Sequence, residues 1–288
     1  MARKFKSIEV AEWMNNRTYS GWFNRLYSIA ISIFEWDDLP DSVDPRFIEY
    51  VLFWKGFGLY FNDEELGNLF LSGLISGQLD VYNIPTLRTA IANNGYMRTD
   101  LNKTNSVVVY DNYSRRPIAE TIKLYAMKLY EIDRTIDVNV KAQKTPVALI
   151  CEDEKAVLSA QNAYLKYDGN IPVMFATKGM LSNFTTAKTD SPYMGDKLQL
   201  LKTQILNECL AFLGVEANLN EKAERLISAE ISGNLGIIEA MRLNRLKSRE
   251  DAARKINKLF GTNISVHFNS CLTLSKLMEG IESGVDMK

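Results

Sequence analysis

The chain has 288 residues, enough for one large domain or two modest ones. At 46% hydrophobic it can bury a real core, which excludes global disorder. Its 34 Lys and Arg stand against 35 Asp and Glu, a formal charge of −1, so bulk attraction to nucleic acid is excluded. Any phosphate contact must come from local placement of cations. Cys151, Cys209 and Cys271 lie too far apart for metal-ligand or redox spacing, and an odd count fits a reducing compartment. His267 is the one histidine, which excludes His-rich metal sites and argues against Ser-His or Cys-His catalysis. No apolar h-region follows the basic N-terminus, so no signal peptide is expected. No stretch reaches the roughly 18–20 uncharged apolar residues of a membrane span.

Residues 1–17 are polar, carry Arg3, Lys4, Lys6 and Arg17, and read as a basic arm or a fraying helix. From Thr18 to Trp36, Trp22, Leu26, Ile29, Ile33 and Trp36 recur at helical spacing. Leu39-Pro40 and Asp44-Pro45 break the chain, and Pro45 opens a helix to about Trp54. Gly56 and Gly58 end it; Leu59 to Phe61 reads as extended. Asn62 or Asp63 is then expected to cap a short helix carrying Glu64 and Glu65. From Leu79 to Asp111 the pattern is of strands, with a hairpin turn at Asn93-Asn94-Gly95 and a β-branched run at Val107–Tyr110.

Pro117 opens the clearest helix, on which Ile118, Ile122, Tyr125, Leu129, Ile132, Ile136 and Val140 form a narrow seam. Pro146 marks a change from helical to strand period, since the residue before a proline is pushed out of the α region. Val147–Ile150 reads as a strand, Glu152–Tyr167 as a helix stopped by Gly169, and Ile171–Ala176 as a second strand. After Pro192 a second long helix runs to Phe212 or Leu213, capped by Gly214. Residues 220–231 are helical in pattern, and Ser232–Gly236 reads as a flexible break. Ser248 with Asp251 resembles a capping box for a helix to Phe260, with Gly261 as its stop. Asn263–Phe268 alternates as a strand, and a polar tail follows. The expected fold class is α+β, with two long helices bracketing a small β-α-β tip and an N-terminal region of helices and a small sheet.

The chain carries no Walker A pattern and no G-x-G-x-x-G after a strand. Asp37-Asp38, Glu64-Glu65 and Glu152-Asp153-Glu154 are adjacent carboxylates, which on a helix do not face each other. They read as solvated surface or helix-dipole partners, and His267 reads as structural. No catalytic residue, metal site or cofactor is expected. The seam over 118–140 is a packing seam, and Ile122, Tyr125, Leu129, Ile132 and Ile136 are the candidates for a subunit contact. Lys197, Lys202, Arg242 and Arg245 are ordinary surface charges in a lone chain. In a ring each would become a band of positive potential.

Several segments resemble the upper collar protein, also called the portal or head–tail connector, of small short-tailed phages of the phi-29-like type. They are Phe34-Glu35-Trp36 with Leu39-Pro40, Ser76-Gly77-Gln78 with Asp80-Val81-Tyr82-Asn83, and Ala142-Gln143-Lys144-Thr145-Pro146-Val147. Further on come Gly169-Asn170 with Pro172-Val173, Pro192-Tyr193 with Asp196-Lys197-Leu198, Phe212-Leu213-Gly214 and Leu246-Lys247-Ser248-Arg249-Glu250. They occur in the family's order and cover about residues 20–268. The resemblance implies a non-enzymatic ring of twelve subunits at one capsid vertex, through which double-stranded DNA is packaged and ejected.

It also implies a layout. A basic arm spans residues 1–17, with Arg3, Lys4 and Lys6 as motor or RNA contacts. A wing spans 18–117, stem helices 118–140 and 191–213, and a clip or tip 141–190. Residues 214–268 carry channel loops at about 228–245, and 269–288 form a tail. Implied partners are other copies of the chain, the DNA in transit, the capsid protein, the lower collar or tail protein, and a packaging ATPase with or without a packaging RNA. The implied location is the virion, after assembly in the host cytoplasm, and no membrane is implied. Two other readings stay open on residues alone: a nucleic-acid-processing enzyme with a helical stalk, and a coiled-coil adaptor built on the 118–140 seam.

Overall fold

The computed structural model describes residues 2–75, 79–142, 147–151, 155, 158, 173–177, 192–216 and 228–269. The chain divides into two compact units, Met1–Leu129 with Gln204–Lys288, and Tyr130–Thr203. Among the described residues no helix is long and apolar enough to cross a membrane.

The first unit opens with α1, Ala2–Ile31, a single helix. The basic arm and the helix expected from Thr18 are therefore one element. It ends before Trp36: Phe34–Asp37 is strand β1, paired antiparallel with the distant strand β9, Ser265–Phe268. The apolar spacing that suggested helix through Trp36 is overridden by this long-range ladder. Helix α2, Pro45–Lys55, forms as its sequence predicts, with Asp44 accepting from the N–H of Arg46, a proline in the first turn and Gly56 as left-handed cap.

Five strands form one antiparallel sheet in the order β5-β4-β3-β2-β6: β2 Phe57–Asp63, β3 Gly67–Ile75, β4 Leu87–Ile91, β5 Met97–Asn102 and β6 Ser106–Tyr110. The short helix expected at Glu64-Glu65 is instead the β2–β3 turn. Asp63 does act as a cap, but its Oδ1 accepts from the N–H groups of Glu65 and Leu66 in a turn closed by Gly67 at φ 76. Glycine adopts that backbone without a Cβ penalty. Both faces of the central strands are covered, which explains their nearly unbroken apolar runs. Tyr60, Phe70, Val107 and Val109 face the main core with α1, α2 and the first half of α3, Ala119–Ala142. Leu59, Phe61, Val108, Ala90 and Leu101 form a second, smaller core on the other face.

Helix α4, Gly195–Leu213, and helix α5, Ser228–Phe260, complete the set. The flexible break expected at Ser232–Gly236 and the helix start expected at Ser248 both fall inside α5. The glycines cost some helix propensity but do not break the ladder. Ser248 does not cap; its Oγ donates to the carbonyl of Tyr110 at 3.0 Å, tying α5 to β6.

In the second unit, β7 Val147–Cys151 and β8 Val173–Thr177 pair in parallel, Val147 opposite Val173. Parallel neighbours need a crossover connection; the helix expected there lies almost wholly outside the described residues, as do Gly169 and Lys144. Buried Asn139 on α3 donates to the carbonyl of Pro192 and accepts from the N–H of Met194, which fixes the chain entering α4.

Candidate functional site

Arg245 and Arg249 lie four residues apart on α5, hence on one face of the helix. Both are buried, and so are the carboxylates they meet, Glu49 on α2 and Asp111 just after β6. Arg249 is fully buried and grips Glu49 with two parallel bonds, Nε to Oε1 at 2.8 Å and Nη2 to Oε2 at 2.7 Å. The same Nη2 reaches Asp111 Oδ1 at 2.7 Å, and Nη1 donates to the Asp111 carbonyl. Arg245 approaches Asp111 Oδ1 through Nε and Nη2, at 3.4 and 3.1 Å. Both guanidinium groups lie over the ring of Phe34, at 5.1 and 4.2 Å. Trp36 Nε1 donates to Glu49 Oε1, and Asn112 Nδ2 to Asp111 Oδ2.

The charge state follows from the geometry. Burial alone would raise the Asp111 carboxyl, but Arg245 and Arg249 overcome it and hold its pKa below the ordinary value. Burial works against the Arg249 cation too, and Glu49 and Asp111 more than compensate, so its pKa is raised. For Arg245 burial wins and the pKa is lowered. The four groups are a fixed ion cluster, and a cluster that consumes its own charges has none to offer a substrate. Its role is to fasten α5 to α2 and to the end of β6.

A second fastening lies one turn earlier. Arg242 donates from Nε to the carbonyl of Gly214, pairs with Glu216 and covers the ring of Phe268 at 4.1 Å. Gly214 is left-handed at φ 79, and a Cβ there would stand 2.8 Å from the Cα of Arg242. Helix α5 thus passes directly over the cap of α4. Tyr113 adds its backbone N–H to Asn244 Oδ1 and its hydroxyl to Asp251. Beyond this zone, residues 236, 237, 239, 240 and 241 are exposed, Ile237 among them.

The residues singled out from sequence are placed as follows. Arg245 is a correction: it is buried and paired with Asp111, so it presents no charge to DNA. Arg242 is half-buried and paired with Glu216, and Lys202 pairs with Asp133 at 2.8 Å. Lys197 is exposed on α4. Arg3, Lys4 and Lys6 lie on α1, with side chains outside those described. The seam is also corrected. Ile122 and Leu129 are fully buried in the main core of their own chain, so they are not free for a neighbouring subunit. Ile132 is buried, Ile136 half-buried, and Tyr125, half-buried, donates to Glu208. Burial, then Glu208, push the Tyr125 hydroxyl up to about 12. Exposed on α3 instead are Leu124, Met127, Val138 and Val140.

His267 ties β9 to β1, its two ring nitrogens meeting Asp37 at 2.8 Å and Glu35 at 3.1 Å. Among the described residues no three His, Cys, Asp or Glu side chains are gathered to hold a metal ion. Burial pushes the Cys209 thiol up to about 12, so it is protonated at neutral pH. Glu49, Asp111 and Arg249 are not among the candidate site residues the sequence offers. A signal existed for two of them: Glu49 interrupts the apolar run Phe47–Trp54, and Arg249 repeats Arg245 at helical spacing.

The family model described as Phage Connector (GP10) matches residues 3–273. The chain belongs to the phage connector family. Among solved structures it resembles a chain of the portal and tail of native bacteriophage P68, with a TM-score of 0.50 and 16% identity over 100% of this chain and 98% of that one. That likeness supports the same mixed α/β fold. An HK97-family phage portal protein from Corynebacterium diphtheriae stands much further off, at a TM-score of 0.37 and 8% identity over 91% of this chain and 93% of that one, too distant to bear on the fold. The connector is a structural protein of the virion that joins head to tail. Its family implies ring assembly with capsid and tail components.

Proposed function

We propose that this connector forms a ring of twelve subunits at one capsid vertex and that double-stranded DNA passes through its centre during packaging and ejection. The observation that carries the reading is the match to the connector family over residues 3–273. The structure adds a physical rationale: α5 is fastened over Arg242–Asp251 and exposed over 236–241, an arrangement suited to presenting a segment to a passing ligand from a fixed base. Residues 1–17 would be the motor-facing arm, 18–117 the wing, 118–140 and 191–213 the stem, and 141–190 the clip. The segment at about 228–245 would face the channel, and 269–288 would form the tail. The packaging ATPase, a packaging RNA bound by Arg3, Lys4 and Lys6, the capsid protein and the lower collar would be its partners.

A duplex carries about one negative charge per ~1.7 Å, and every neutralised phosphate adds salt-sensitive affinity. A conduit must guide DNA without holding it. The subunit's formal charge of −1, with Arg242, Arg245 and Lys202 all engaged by carboxylates, leaves Lys197 as the candidate that keeps an exposed charge. Lys197→Ala should change the rate or extent of DNA packaging into empty heads while rings assemble as before. Unchanged packaging at low and high salt would remove Lys197 from the channel.

A further inference from the structure

The two most exposed large apolar side chains among the described residues are neighbours, Val81 at 90% and Tyr82 at 75%. They stand at the tip of the loop between β3 and β4, with Leu79 and Leu87, each half exposed, on either side. Exposed apolar groups gathered in this way mark an interaction site rather than ordinary surface. The loop is built to hold them there. Asp80 Oδ1 accepts from the N–H groups of Tyr82 and Ile84, and the Asp80 N–H donates to the Ile84 carbonyl. Arg115 reaches over from beyond β6 and donates from Nη1 to the carbonyls of Tyr82 and Asn83, at 3.2 and 3.1 Å. Asn83 is left-handed at φ 57 and Leu79 bridges to Pro85, so the tip is a closed turn. None of these bonds uses the side chain of Val81 or Tyr82. A knob preformed in this way loses little freedom on docking.

A groove of about 460 Å³ lies between α1, β1 and the start of α2, within the roughly 300–1,000 Å³ of binding pockets. Ile31, Trp36 and Pro45 give it apolar walls, and Ser28 and Ser32 line it from α1. Knob and groove sit at opposite ends of α2. The C-terminal end of that helix leads through Gly56 into Phe57, which pairs with Tyr110. The Tyr110 ring lies under Arg115, the residue that holds the knob. The N-terminal end, at Pro45 and Arg46, lines the groove, about 15 Å away at ~1.5 Å per residue. A projection and a recess placed apart in this way give a head-to-tail contact, the kind that closes into a ring. The cavity beside Pro117 and Ile118 does not qualify. Ser114 and Arg116, on either side of Arg115, line it, so it lies at the knob's own end.

Charge favours the same match. Lys55, Arg115 and Arg116 are exposed at the knob end, where Asp80 is consumed by its own loop and Glu120 by Lys123. The groove end carries Glu35, Asp37, Asp38, Asp41 and Asp44, all exposed, against Arg46 and His267. We propose that the 79–85 loop of one copy of the chain seats Val81 and Tyr82 in the α1–β1–α2 groove of the next, a proposal that rests on the ring reading above. The two side chains meet Ile31, Trp36 and Pro45, and the Tyr82 hydroxyl brings a donor to the rim at Glu35 and Asp37. The loop is the anchor of the contact rather than its whole area, since tyrosine is enriched among interface hot spots. The cations around it face the acidic run and set the register.

Cross-linking tests the pairing directly. Tyr82 is replaced by the photoreactive p-benzoylphenylalanine, and rings are formed from a mixture of isotope-labelled and unlabelled chains. Irradiation should join the probe to a peptide within residues 28–49 of a different copy. Tyr82→Ala and Val81→Glu should each raise the concentration for half-assembly of rings roughly tenfold or more, read by sedimentation velocity, with the melting temperature unchanged. Ser28→Phe, which narrows the groove from an exposed position on α1, should do the same. Val81→Lys, facing an acidic groove, should weaken assembly less than Val81→Glu. Wild-type assembly in all of Tyr82→Ala, Val81→Glu and Ser28→Phe, or a cross-link outside residues 28–49 of the neighbour while rings form, would overturn the pairing and leave the portal reading intact. So would a cross-link that appears only when capsid or tail protein is added. A wild-type protein that forms no ring would defeat the portal reading itself, and the pairing with it.

Discussion

Two adjoining stretches of α5 are built on opposite principles. From Arg242 to Ile256 the helix is fastened by ions: Arg242 to Glu216, Arg245 and Arg249 to Asp111, and Arg249 to Glu49, with Ala252, Ala253 and Ile256 closing the core beside them. Between Gly236 and Met241 the same helix exposes residues 236, 237, 239, 240 and 241, with Glu239 as the one charge among glycine and apolar residues. One continuous helix thus has a fixed base and, ahead of it, an exposed stretch at 236–241. A static ring component needs the first; a surface that meets DNA or a neighbour needs the second. Evenly spread packing would serve neither purpose as well.

Cutting the base should cost most. Arg249→Ala leaves Glu49 and Asp111 buried without their shared cation, and a broken buried pair typically costs about 3–5 kcal/mol. Chemical denaturation of the variant should show a loss of that size, or no folded protein at all. A loss under about 1 kcal/mol would mean that the cluster does not hold α5. Next is Gly214→Ala, which combines a left-handed backbone with a Cβ 2.8 Å from Arg242 Cα. It should lower stability by about 1–3 kcal/mol, and lysine at Arg242 should not relieve the strain.

The pH dependence is a third and smaller effect. Asp111 has its folded pKa lowered, so its contribution is fully present above the ordinary carboxylate value near ~3.9. It is lost as pH falls through the lower folded value. Asp63, at the β2–β3 turn, behaves the same way with a folded pKa lowered to about 2. The Tyr96 hydroxyl contributes most, followed by the N–H groups of Glu65 and Leu66. Melting temperatures should therefore be flat from neutral pH to about pH 5 and fall steeply below pH 4. In Asp63→Asn the acid limb should be shallower than in the wild type. Last comes the exposed stretch at 236–241: Ile237→Glu should change stability by no more than about 0.5 kcal/mol. A loss comparable to Arg249→Ala would show that the 236–241 stretch is packed and erase the contrast.

What could be read in the sequence was what local chemistry decides. Asp44-Pro45 and Gly56 bound α2 because capping and a fixed φ act over a few residues. Val107–Tyr110 became a strand and Asn93-Asn94-Gly95 a turn for the same reason. Errors arose where a distant partner decides. Phe34–Trp36 has helical spacing but is drawn into a ladder with Val266–Phe268. Ser248 carries a cap signature but bonds to Tyr110 from the middle of a helix.

The site was partly legible. Arg245 was noticed as a cation, yet its fate depends on Asp111, which sequence places far away. The seam on α3 was real but faces its own chain at Ile122 and Leu129, because periodicity finds an apolar stripe without saying whose surface covers it. The connector resemblance did not suffer from this, since it rested on ordered short segments rather than on periodicity.

The measurement that bears most directly on the account is electron microscopy of the purified protein in dilute buffer. Closed rings with a central hole wide enough for a duplex are expected, in a single dominant symmetry. Monomers or dimers over the whole accessible concentration range, or rings closed at the centre, would contradict it.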